Sequence, residues 1–118
     1  MLPINTTPVY VAREPIDMRK SIDGLSLIVS QVLQHDPFQV QLLVFTNRWR
    51  DQIKLLQWDT NGFWLYYQRL ERGWLAWPER GSGQQVLKVQ PRQLQWLLEG
   101  LALEQPRALK PVPALRVA

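Results

Sequence analysis

The spacing of apolar positions changes repeatedly along this chain, and each change marks an element. Val9-Tyr10-Val11-Ala12 is a short apolar run after Pro8 and predicts a first strand. Arg13-Glu14-Pro15 closes it, because proline donates nothing to a ladder. From Asp17 to His35 the apolar residues fall at Ile22, Leu25, Ile28/Val29, Val32 and Leu33, the stripe of an amphipathic helix over 20–34. Asp17 or Ser21 is placed to cap its start, and His-Asp-Pro-Phe at 35–38 to end it. Gly24 costs such a helix about 1 kcal/mol relative to alanine, which predicts close approach of another backbone there.

Gln41 to Phe45 reads as the next strand, followed by a polar turn from Thr46 to Asp51. Ile53 to Trp58 and Phe63 to Leu70 then flank Asp59-Thr60-Asn61-Gly62, a hairpin signal with Gly62 expected in the left-handed region as a bulge. That turn pairs Trp58 with Trp64, Leu56 with Tyr66 and Lys54 with Gln68. Leu70-Glu71-Arg72-Gly73 repeats the turn chemistry, Trp74 to Trp77 is expected to be a strand, and Pro78 stops it. Gly81-Ser82-Gly83 makes a loop, and Val86 to Val89 an edge strand. Pro91 opens a second helix with a Leu94, Leu97, Leu98, Leu101 stripe, terminated near Gly100. The expected fold is therefore α+β: a single domain over residues 1–103, with a four- to five-stranded, mostly antiparallel meander packed against helices 20–34 and 91–101. Both helices are expected on one sheet face, leaving the other face or the loops for partners. Residues 104–118, a basic segment containing prolines, are expected to be disordered.

Composition narrows the function classes. With 46% apolar and 20% charged residues the balance is globular rather than disordered. The absence of cysteine excludes disulfides, thiol catalysis and cysteine-ligated metals. No apolar run reaches the roughly 20 residues a membrane span needs, and the start of the chain lacks a signal-peptide pattern. Both point to a soluble protein of a reducing compartment, most simply the bacterial cytoplasm. The net charge of +4 is modest, so its effect depends on where the cations sit.

Those cations interleave with aromatics. Five of the six tryptophans lie between Val44 and Pro78, together with Arg48, Arg50, Lys54, Arg69 and Arg72. That mixture suits a surface gripping a polyanion, most plausibly nucleic acid, whereas the tryptophans taken alone also suit a core. On strand and helix spacing, Trp58, Trp64, Trp77 and Trp96 read as core residues. Trp49, flanked by Arg48 and Arg50 on a turn, has no core reason and is a candidate for stacking on a base, with the arginines on phosphate. Arg19 and Lys20 stand ahead of a helix whose dipole disfavours cations there. Pairing with Asp23 and contact with an outside anion both account for them. Catalysis has little support: Asp51-Gln52-Ile53-Lys54 loosely matches a nuclease acid-x-x-lysine run, but no spacing brings carboxylates together, and GxSxG, P-loop and HExxH motifs are absent. No metal or other cofactor is called for.

Read in order, DMRKSIDGL at 17–25, HDPF at 35–38, VFTNRWRDQIKLLQWDTNGFWLYYQRLERG at 44–73, WP at 77–78 and QLQWLLEGL at 93–101 form an ordered set. From about Val9 to Leu103 the chain resembles the TnpB-type accessory protein, the second open reading frame product, of the sixty-six family of bacterial insertion sequences. The resemblance implies a role in moving such an element beside a separate transposase that carries the strand-cutting chemistry, and brings no active site. The chain departs from the family pattern at Gln68, where lysine is common, and at Trp74 and Ala76, often polar or basic. Two functions follow. One is a non-catalytic DNA-binding accessory factor contacting insertion-sequence ends through Arg19, Lys20, Arg48, Trp49, Arg50, Lys54, Arg69 and Arg72. The other is an adaptor that binds the transposase without touching DNA.

Overall fold

Strand β1 (Val9–Ala12) does not pair with its neighbour in sequence through a hairpin; it lies parallel to β2 (Leu42–Thr46), with Val9 opposite Leu42 and Val11 opposite Val44. A parallel pair needs a crossover, and helix α1 (Ile22–Leu27) with a π-helical continuation (Ile28–Val32) supplies it. In the computed structural model, which describes residues 8–36, 42–78 and 83–105, β2 continues antiparallel into β3 (Gln52–Asp59) and β4 (Gly62–Arg69). β5 (Val86–Val89) returns to pair antiparallel with β1, giving the sheet order β4-β3-β2-β1-β5. Helix α2 (Pro91–Leu98) follows. The domain is α+β with a five-stranded, mostly antiparallel sheet, as expected, but only β2-β3-β4 is a meander.

The two helices cover opposite faces of the sheet, correcting the expectation that both share one. Val9, Val11, Leu42, Val44, Ile53 and Leu55 face Leu94 and Leu97 of α2, joined by Leu75, Trp77 and Leu103. Ala12, Leu43, Phe45 and Leu56 face Leu25 and Val29 of α1. Every residue of β2 is consequently buried. Its unbroken Leu-Leu-Val-Phe run is the pattern of a strand covered on both sides, where an alternating run would mark a half-exposed one.

Several local expectations also change. The first helix begins at Ile22 rather than 20, and Asp17 caps nothing; its carboxylate turns to Arg19. Past Leu27 the helix widens, Leu33 N–H donating to Ile28 O at 3.0 Å, and it ends with Gln34 at φ 58°. A Cβ on Gly24 would meet Lys20 Cβ at 3.2 Å, so the close neighbour is a side-chain stem from the preceding turn, not another backbone. The hairpin is one residue tighter than expected: Trp58 pairs with Phe63, Gln57 with Trp64 and Asp59 with Gly62. The left-handed residue is Thr60, at φ 46°, and Gly62 lies outside that region. A two-residue Thr60-Asn61 loop thus replaces the bulge. Residues 74–77 form no strand; Trp77 N–H donates to Leu75 O at 2.9 Å in a tight turn, and the segment buries Leu75 and Trp77 on the α2 face, the Trp77 Nε1–H donating to Ala12 O at 2.9 Å. Helix α2 closes at Leu98 with Leu101 N–H donating to Trp96 O and Gly100 at φ 86°, so Gly100 does terminate it. The expected disorder of 104–118 falls almost wholly outside the described residues.

Candidate functional site

The pairing directions bring the carboxyl ends of β1, β2 and β4 and the amino ends of β3 and β5 to one edge of the molecule. The loops leaving those ends carry Arg19, Lys20, Arg48, Trp49, Arg50 and Arg72, and Arg69 ends β4 there, so all but one of the predicted site residues lie at this edge. The alternation of strands alone collects them, although they span more than fifty positions of sequence.

The tip from 47 to 51 is held from within. Asn47 is 5% exposed; its Oδ1 accepts from the amides of Asp51 and Gln52, both at 3.0 Å, and its Nδ2 donates to Asp51 Oδ1 at 2.7 Å. Arg50, at φ 61°, closes the turn by donating its amide to Asn47 O at 3.1 Å. Asp51 is therefore engaged by Asn47, and no ion pair among the described residues takes up Arg48 or Arg50. Trp49 is 67% exposed, with the Arg48 guanidinium 5.0 Å from its ring centroid.

A second loop is fastened to the first. Leu70 N–H donates to Asp51 O and Leu75 N–H to Arg50 O, each at 2.7 Å. Between these bonds lie Arg72, outside any ion pair among the described residues, and Trp74, 73% exposed. Sequence reasoning placed Trp74 in a strand and omitted it from the site. Yet the signal was present: Trp74-Leu75-Ala76-Trp77 alternates, and burying Leu75 with Trp77 turns Trp74 outward.

The turn from Asp17 to Lys20 forms the third part. Ile16 N–H donates to Thr46 O at 2.9 Å, fixing the turn beside the end of β2. Lys54, the remaining candidate, is 9% exposed and faces inward: its Nζ donates to Met18 O at 2.7 Å and Lys20 O at 2.6 Å, 5.8 Å from the Tyr67 ring centroid. Lys54 leaves the set of outward-facing cations. Its position in β3, opposite Tyr67 and beneath the turn, makes it the strut of that turn. Above it Arg19 is exposed but committed to Asp17, donating from Nε and Nη2 at 3.1 and 2.8 Å. These bonds hold the Asp17 carboxyl at about 2, well below its ordinary 3.8. Arg69 lies 3.5 Å from Glu71 in a solvent-exposed pair, while Lys20 is exposed and outside any such pair among the described residues.

The opposite end differs. The hairpin tip presents Asp59, whose Oδ2 accepts from Trp64 Nε1–H at 3.0 Å; Trp64 is 55% exposed, against the core expectation. Trp77 is buried as expected, and Trp58 and Trp96 are half-buried. An open groove of about 770 Å³ along α1 is lined by Asp23, Asp36, His35 and Phe63 among others, without Lys or Arg. Four cations outside any ion pair among the described residues, Lys20, Arg48, Arg50 and Arg72, thus share the loop end, while Lys88 and Arg92, also outside any such pair, lie away from it.

Comparison with known proteins gives a consistent assignment. The family model described as IS66 Orf2 like protein matches residues 7–108. Two proteins of Sinorhizobium fredii (strain NBRC 101917 / NGR234), both described as uncharacterized, are similar: y4hO, 33% identical over 84% of this chain and 84% of its own length, and y4jC, 30% identical over 79% and 78%. No solved structure matches the chain significantly.

Proposed function

The chain belongs to the family of IS66 Orf2-like proteins, and from that membership we propose that it is a non-catalytic accessory protein for transposition of an insertion sequence, gripping DNA with the loop end of its sheet. It works in the cytoplasm beside a separate transposase, on the ends of the element. The observation that supports this reading most is the gathering of Lys20, Arg48, Arg50 and Arg72, none in an ion pair among the described residues, on loops braced by Asn47 and by the bonds from Leu70 and Leu75. Arginines on a braced backbone have less chain freedom to lose on meeting phosphate, which the guanidinium binds in bidentate fashion. Arg19 and Arg69, already paired with carboxylates, contribute less. Lys54 contributes by holding the turn that carries Lys20.

The test is a gel-shift titration on element-end DNA and on unrelated DNA at two salt concentrations. Affinity falls steeply with salt as condensed counterions are released. Arg48→Ala with Arg50→Ala flattens the slope of log affinity against log salt by about one to two and leaves the melting temperature nearly unchanged. Absence of any shift at micromolar protein overturns the reading. A second reading, an adaptor that binds the transposase, draws on the exposed Trp49 and Trp74, since indoles anchor protein interfaces as well. It predicts copurification with the transposase that Trp49→Ala weakens, with no DNA shift.

A further inference from the structure

Trp49 and Trp74 are the most exposed large apolar side chains among the described residues, at 67% and 73%, and nothing in the core accounts for either. They sit on different loops, but each is the immediate neighbour of a residue in one backbone hydrogen bond, Leu75 N–H to Arg50 O at 2.7 Å. Two Cα–Cα steps and one hydrogen-bonded crossing bound the separation of their Cα atoms at about 13 Å. Neither loop floats: one is braced by Asn47, and the other is tied at both ends by the bonds from Leu70 and Leu75. The backbone positions that carry the two indoles are therefore tied together, with Arg48, Arg50 and Arg72 on the same loops.

Duplex DNA makes poor use of such a pair, because its bases are already stacked and their faces closed. A single strand offers both faces of each base, and a span of this size covers a few nucleotides. Resting on the DNA-binding reading above, we propose that the loop end of the sheet binds single-stranded DNA, with Trp49 and Trp74 each stacking on an unpaired base and Arg48, Arg50 and Arg72 holding the intervening phosphates. The Arg48 guanidinium near one side of the Trp49 ring polarises that indole and leaves the other side for the base.

Fluorescence anisotropy of the full chain tests this with three probes, each at low and raised salt: a 12-nucleotide strand, the same strand as a duplex, and a 12-residue abasic strand. The intact strand is expected to bind at least tenfold tighter than the duplex or the abasic strand, with quenching of tryptophan fluorescence. Trp49→Ala and Trp74→Ala are each expected to weaken single-strand binding about five- to a hundredfold, leaving abasic binding and the salt slope unchanged, because no charge is lost. Trp64→Ala, an exposed tryptophan at the other end of the sheet, is the control and should bind as the parent does. Thermal melts of the three variants confirm folding. Equal affinity for single strand and duplex, or tryptophan variants that bind the single strand as the parent does, overturns the stacking proposal while leaving DNA binding intact. Failure to bind all three probes at low salt overturns the DNA reading itself.

Discussion

Replacing Lys54 by methionine keeps the aliphatic stem inside the sheet and removes the ammonium that donates to Met18 O and Lys20 O at 2.7 and 2.6 Å. Hydrogen bonds to a charged group contribute about 1.5–3 kcal/mol each. Two effects reduce the loss. The variant no longer desolvates an ammonium on folding, and the two carbonyls lie on a surface turn that water can reach. The net cost is then about 2 kcal/mol, and the melting temperature falls on the order of 10 °C for a domain of this size. Thermal and urea denaturation measure the cost; a salt titration of DNA binding measures the role. If Lys54 is a strut, Lys54→Met loses stability, binds DNA somewhat more weakly because the Asp17–Lys20 turn loosens, and keeps the parent's salt slope. If it touches phosphate, stability stays and the slope drops by about one. The second outcome would refute the inward-facing assignment.

The remaining predictions concern neighbouring parts of the frame. Asn47→Ala removes the acceptor of two backbone amides and the partner of Asp51, and should cost about 2–3 kcal/mol in urea denaturation. Thr60→Gly relieves a β-branched residue at φ 46° and should gain about 1 kcal/mol. Gly62→Val meets nothing within 4 Å of its Cβ and should change stability by less than about 0.5 kcal/mol, so a larger loss would restore the bulged register. Asp17 should titrate near pH 2 by carboxyl NMR, and Arg19→Ala should return it toward 3.8. Because folding lowers this pKa, the stabilisation it reflects is complete above the ordinary value. It is lost as pH falls from about 4 through 2.

Much of this was legible in the residues, and the failures have definite causes. The strands at 9–12, 42–46 and 86–89 and the helix stripes are set by apolar spacing, which survives folding because burial enforces it. The hairpin register slipped by one because Asn-Gly turn chemistry suits both a two-residue loop and a bulge; pairing along all eight residues of each strand decides between them. Lys54 was misplaced because a lysine among aromatics looks the same whether its ammonium meets water or two carbonyls from residues 34 and 36 positions away. Trp74 is absent from the predicted site because the local pattern assigns it to a strand that the chain does not form. Local pattern names the elements, whereas long-range partners assign the polar side chains.

The pairing of β1 with β5, Val9 against Val89, has a consequence for timing. A strand flanked by a distant partner waits for it: β2, β3 and β4 can join through short loops as they emerge, but β1 stays an edge, and Val9 and Val11 stay wet, until β5 and α2 arrive. The same late event brings Gln85 O to the amide of Arg13, locking the segment that leads to the Asp17–Lys20 turn. The loop end acquires its final geometry only when nearly ninety residues have been made. A nascent or clipped chain stopping short of that point carries most of the cations without the surface that aligns them.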